Sequence, residues 1–101
     1  MTSALTPTPD PASSADAALD AALRQVLADV LGLSAQRAAA LDAGSGLFGH
    51  LPELDSMAVA GLLTEMEDRL GILIEDEEVG GAMLETYGDL LAFVRAKRAR
   101  A

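Results

Sequence analysis

The chain has no cysteine, no tryptophan, one tyrosine, two phenylalanines and only seven basic residues among its 101. Without cysteine there is no disulfide framework, no thiolate zinc site and no cysteine nucleophile. With aromatics confined to Phe48, Tyr87 and Phe93, the core has to be built from Leu, Val, Ala and Met. Seven bases against sixteen acids leave a net charge of −9, which argues against nucleic-acid binding, since that needs a basic surface. Apolar runs last only a few residues, so no segment reads as a membrane span. Met1 to Ala15 lacks both the basic start and the hydrophobic stretch of a secretory signal. A small cytoplasmic protein with one modest core is the expectation.

What is present is helical periodicity. Residues 1–15, rich in Thr, Pro, Ser and Ala, are expected to form a flexible tail, and residues 16–101 a helical domain. Leu19, Ala22, Leu23, Val26, Leu27 and Val30 recur at three- and four-residue spacing, with Asp16 as the expected N-cap and Gly32 as the stop. Leu33 to Leu54 reads as a long connection, with room for a helical turn near Gln36 to Leu41, broken by Gly44, Gly46, Gly49 and Pro52. Leu41, Leu47, Phe48 and Leu51 are expected to pin it to the helices. A second helix spans about Ser56 to Leu70, stopped by Gly71, with Val59, Leu62, Leu63, Met66 and Leu70 inward and Met57, Gly61, Thr64 and Asp68 outward. Ile72 and Ile74 anchor a crossing, Glu75 to Val79 suggests a short acidic helix, and Thr86 opens a last helix whose stripe is Tyr87, Leu90, Leu91 and Val94. The fold class is all-α, a four-helix bundle with three longer helices, one short one and a long first loop.

The chemistry converges on Ser56. A serine at a helix start usually caps the first turn, but Asp55 can do that alone, which frees the Ser56 hydroxyl. Nothing equips that hydroxyl as a nucleophile: the single histidine, His50, sits in the Gly-flanked loop, no lysine is near in sequence, and no Gly-x-Ser-x-Gly elbow surrounds it. A metal site is not indicated either, because Glu75 to Glu78 lacks the alternating ligands and central glycine of a calcium loop.

Four segments in order, Leu54-Asp55-Ser56-Met57, Glu67-Asp68-Arg69-Leu70-Gly71-Ile72, Glu75-Asp76-Glu77-Glu78 and Thr86-Tyr87-Gly88-Asp89-Leu90, resemble acyl carrier proteins over about Leu19 to Lys97. The resemblance implies that Ser56 receives a 4′-phosphopantetheine arm from coenzyme A through a separate phosphopantetheinyl transferase. The arm's thiol then carries an acyl or aminoacyl group as a thioester. It implies a non-catalytic monomer visited by acyl-loading and acyl-transfer enzymes. A phosphodiester on Ser56 would sit at a helix N-terminus, where free amides favour negative charge.

Seven acids and one base between Glu65 and Glu78 supply −6 of the net charge. This is either a solvated face or, as in carrier proteins, a docking face for basic partners. Asp55 is assigned beside the attachment point, and Met57, Gly61, Thr64, Glu65, Asp68, Glu75 and Asp76 to partner binding. Met57 either stands outward as a contact or tucks against Phe48 or Leu51. Leu62, Leu63 and Met66 face the space an acyl chain would enter, and also simply pack. Arg95, Lys97, Arg98 and Arg100 are expected to complement the end of their own helix. Ala58 and Gly61 stand where fatty-acid carriers commonly have acids, and Thr64 where an apolar residue is frequent. These departures point to a specialised carrier, one in a polyketide-like or surface-polymer pathway, a discrete aminoacyl carrier, or one accompanying bacterial exosortase systems, which the stretch from Leu51 to Val59 most resembles. The rival is an unmodified helical interaction module that uses only the acidic face; a hydrolase centred on Ser56 and His50 is the enzymatic alternative.

Overall fold

The computed structural model describes residues 11–100. They form four α-helices, α1 (Pro11–Leu31), α2 (Ala35–Ala40), α3 (Ser56–Leu70) and α4 (Tyr87–Arg100), with two 3₁₀ turns, Asp76–Glu78 and Gly81–Leu84, between α3 and α4. Helix α1 is the hub: it packs mainly on α3 and also on α2 and α4. Leu23, Val26 and Leu27 of α1, Leu47 of the long loop, Leu62 and Met66 of α3, and Tyr87, Leu90 and Val94 of α4 are sealed together at the centre. Each such aliphatic side chain contributes about 1.5–3 kcal/mol on leaving water. The helical stripes read from the sequence are thus the faces that meet.

The helix ends follow local chemistry. Gly32 and Gly71 adopt left-handed φ of 69° and 66°, which a residue without Cβ accepts at no cost. After α1 the Leu33 amide reaches back to the Ala28 carbonyl at 3.0 Å, and Leu33 is itself buried. After α3 the Gly71 amide donates to the Glu67 carbonyl.

Three expectations need correction. Helix α1 begins at Pro11, not at Asp16; proline's fixed φ and missing N–H suit a first helical position, and the alanines that follow favour helix. Residues 1–10 of the expected tail lie outside the described residues. Next, the acidic segment at Glu75 to Val79 is a single 3₁₀ turn that buries nothing, while Met83 and Leu84 of the following turn reach the core. Three consecutive acids cannot supply an apolar face, so that task passes to the next turn. Finally, three of the four C-terminal cations, Arg95, Lys97 and Arg98, serve other elements; the side chain of Arg100 lies outside the described residues. Arg98 donates to the Leu70 carbonyl at the end of α3 at 2.8 Å, Lys97 pairs with Glu78, and Arg95 lies 3.5 Å from Asp16.

The long loop is stitched to the start of α4. Gly46 and Thr86 form an antiparallel bridge. Around it, Leu47 N–H donates to Glu85 O, Phe48 N–H to Leu84 O, Tyr87 N–H to Ser45 O and Gly88 N–H to Ala43 O, all at 2.9–3.0 Å. Leu47 and Leu54 anchor the loop in the core, with Leu41 and Leu51 packed against it, whereas Phe48 is 44% exposed and pins nothing. A second clamp is polar. Arg24 bonds Asp20, donates to the Ala38 and Ala39 carbonyls at the end of α2, and stacks 4.6 Å from the Tyr87 ring centre. The Tyr87 hydroxyl donates to the Asp20 carboxylate. One arginine therefore ties α1, α2 and α4 together, placing its charge at the negative end of α2.

Candidate functional site

Ser56 is the first residue of α3, and its position is set from both sides. Upstream, the loop closes by turns: His50 and Leu51 amides donate to the Leu47 carbonyl, and the Leu54 amide to Leu51. Buried Leu54 then fixes the entry to α3. Arg37 of α2 holds Glu53 in a two-pronged ion pair, and the Arg37 hydrogen bond lowers the Glu53 carboxyl below its usual value. Downstream, Asp55 is the N-cap, with its Oδ1 accepting from Ala58 N–H at 2.8 Å. The capping task is taken, and among the described residues none hydrogen-bonds the exposed Ser56 hydroxyl.

The space beside it is open. A groove of about 500 Å³ is lined by Phe48, Gly49, His50, Leu51, Pro52, Leu54, Asp55 and Ser56. His50 and Ser56 share this groove, yet no hydrogen bond joins them among the described residues and none orients the imidazole. That arrangement lacks the oriented base of a serine hydrolase. It does suit a hydroxyl approached from outside, and an anion there would meet the free amides of the first turn of α3.

The outward face of α3 is as the periodicity predicts. Met57 is 86% exposed and does not tuck against the loop. Gly61, Thr64 and Asp68 are exposed along the same helix, although Thr64 Oγ1 is turned onto the Ala60 carbonyl at 3.0 Å. Glu65 is half-buried, 4.0 Å from Arg69, and Arg69 pairs more closely with Asp29 of α1 at 2.8 Å. Glu67, in the middle of the acidic run, accepts from the Ile74 amide at 2.9 Å and so fixes the crossing after α3. Glu75 and Asp76 are exposed beyond the far end of α3. Fifteen residues of helix separate them from Ser56 by roughly 20 Å. The structure brings Ser56, Asp55 and Met57 together and leaves Glu75 and Asp76 apart. Leu62 and Met66 are fully buried, with Leu63 packed beside them.

Sequence reasoning missed the Asp20–Arg24–Tyr87 clamp and the groove. The four-residue spacing of Asp20 and Arg24 was a usable signal; the partner at Tyr87, 67 residues away, was not. Burial alone would raise the Asp20 carboxyl, but the Tyr87 and Arg24 hydrogen bonds outweigh it and lower it. Burial and the Asp20 hydrogen bond push the Tyr87 hydroxyl well above its usual value. No helix among the described residues is long and apolar enough to cross a membrane.

A family model described as the phosphopantetheine attachment site matches residues 21–94. Among solved structures, a holo acyl carrier protein from Nitrosomonas europaea, determined by solution NMR, is 41% identical. The match covers 80% of this chain and 95% of that one, with a TM-score of 0.72. No curated protein matches the chain.

Proposed function

Because this chain belongs to the phosphopantetheine-attachment family, and is an acyl carrier protein bearing a covalent 4′-phosphopantetheine arm, we propose that the arm is joined to Ser56. The observation that carries this is the division of labour at the start of α3: Asp55 caps, and Ser56 is left exposed with an uncommitted hydroxyl. The arm, once attached, supplies a thiol that holds an acyl group as a thioester. The chain's residues then have three tasks. Ser56 Oγ forms the bond to phosphorus, its proton leaving to a base on the transferase and the bond to the nucleotide part of coenzyme A breaking. The α3 amides receive the resulting negative charge. Met57 offers an apolar contact to each visiting enzyme, and the exposed Asp68 a negative one. Catalysis resides in those partners.

The specialised subtype rests on the outward face of α3. Exposed Gly61 and Thr64 present a small, uncharged middle to that helix, where a basic partner adapted to fatty-acid carriers finds less charge. We favour partners that read Met57 and the flat centre of α3 over ones that read a continuous acidic stripe. Intact mass after incubation with coenzyme A and a broad-specificity transferase tests the attachment. A gain of one arm that vanishes in Ser56→Ala is expected; no gain in the unaltered protein restores the unmodified interaction module.

A further inference from the structure

The groove beside Ser56 has a composition that a bare attachment point does not need. Its wall includes exposed Phe48 and Pro52 together with Leu51, and one residue able to carry positive charge, His50. The imidazole is seated. A Cβ built on Gly46 would lie 2.4 Å from the His50 ring carbons Cγ and Cδ2, so the ring rests directly over the Gly46 backbone. That backbone is itself bridged to Thr86, and the His50 amide is held by Leu47 O at 3.0 Å. The ring thus lies against the stitched part of the loop, on the side of the groove that Ser56 lines.

We propose that this groove cradles the near end of the arm, with His50 holding its phosphodiester and Phe48 and Pro52 covering the two methyl groups that follow. The inference rests on Ser56 being the attachment site, because a group joined to Ser56 begins inside the groove that Ser56 lines. Charge supports it. A singly negative phosphodiester at Ser56 stands next to the Asp55 carboxylate, which is committed to capping α3. Glu53, two residues earlier, is already matched by Arg37. The new negative charge thus has one side-chain counter-ion on the groove wall, His50, and histidine charges near neutrality. The apolar wall matches the hydrocarbon next to the phosphate and lets the proximal arm leave water without entering the packed core.

The chain has a single histidine, so its ring resonance is unambiguous. Apo and holo protein, the latter checked by mass, are titrated with pH while the histidine proton and arm phosphorus signals are followed by NMR. The two forms differ only by the arm, so the difference between them reports what the arm does. The His50 midpoint is expected to be higher in the holo form than in the apo form, because a nearby negative charge favours the protonated ring. The phosphorus signal, which does not itself titrate there, should shift with the same midpoint, and holo His50→Gln should lose that shift. Equal midpoints in apo and holo, or a phosphorus shift unchanged in His50→Gln, overturns the cradle. Failure to gain the arm at all overturns the attachment at Ser56, and the cradle with it.

Discussion

Replacing Gly61 and Gly88 by alanine, one at a time, makes the same chemical change in two helices and gives opposite results. Gly61 is exposed in the middle of α3, and a Cβ there meets only Val30 Cγ1, at 3.9 Å. Alanine should stabilise α3 by about 1 kcal/mol, by lowering the backbone entropy lost on folding. Gly88 lies one residue into α4, where a Cβ would stand 2.7 Å from the Ala43 carbonyl oxygen and 3.1 Å from Ala43 Cα. Those are backbone atoms, so the loop itself has to move. That movement loosens Gly88 N–H to Ala43 O and Tyr87 N–H to Ser45 O, each worth about 1 kcal/mol, and adds packing strain of about 1–3 kcal/mol. Even with the gain of about 1 kcal/mol in helix propensity, Gly88→Ala should lose about 2–4 kcal/mol. Urea unfolding with a slope of about 1 kcal/mol per molar then separates the two midpoints by about 3–5 M, with the unaltered protein between them. Equal midpoints, or Gly88→Ala as stable as the parent, would refute the claim that the loop is clamped onto α4.

Asp55→Ala should cost about 1 kcal/mol in the same assay and Asp55→Asn much less, since asparagine caps comparably; equal losses would mean the cap is not what Asp55 supplies. Met57→Ser should leave the unfolding midpoint within about 0.5 kcal/mol, because the side chain lies in solvent, while slowing loading by the transferase. Acid should erode stability partly through Asp20. Its folded carboxyl sits below its unfolded value, so its contribution is whole above about pH 4 and is lost as pH falls further, and Asp20→Asn flattens that limb. Tyr87 works in the other direction. Its folded hydroxyl lies above the unfolded value, so its contribution is whole below about pH 10 and is lost as pH rises beyond; Tyr87→Phe removes that alkaline loss in a pH series of denaturant melts.

Where the sequence could be read, the deciding signal was local. Asp55 and Gly71 bound α3 within one residue of their own positions, and the three- and four-residue spacing of Leu62, Met66 and Leu70 named its buried face. Ser56 stood out for the same reason, as a second polar residue where one cap suffices. What stayed hidden depends on contacts between distant residues. Pairing of Gly46 with Thr86, 40 positions later, leaves no periodic trace, and it decides that Phe48 faces outward while Leu47 goes in. Arg98 and Lys97 read as neighbours of their own helix end because the Leu70 carbonyl and Glu78 come to them only in the folded chain. His50 is the exposed loop residue the sequence suggests, but the turns at Leu47 and Leu51 that bring it into one groove with Ser56 leave no periodic signal.

Attachment through one particular oxygen is tested most directly by fragmenting the holo protein in a tandem mass spectrometer. The arm should be found on the peptide that contains Ser56 and on no other, with Ser34, Ser45, Thr64 and Thr86 unmodified. An arm on any of those residues, or one still gained by Ser56→Ala, would contradict the account.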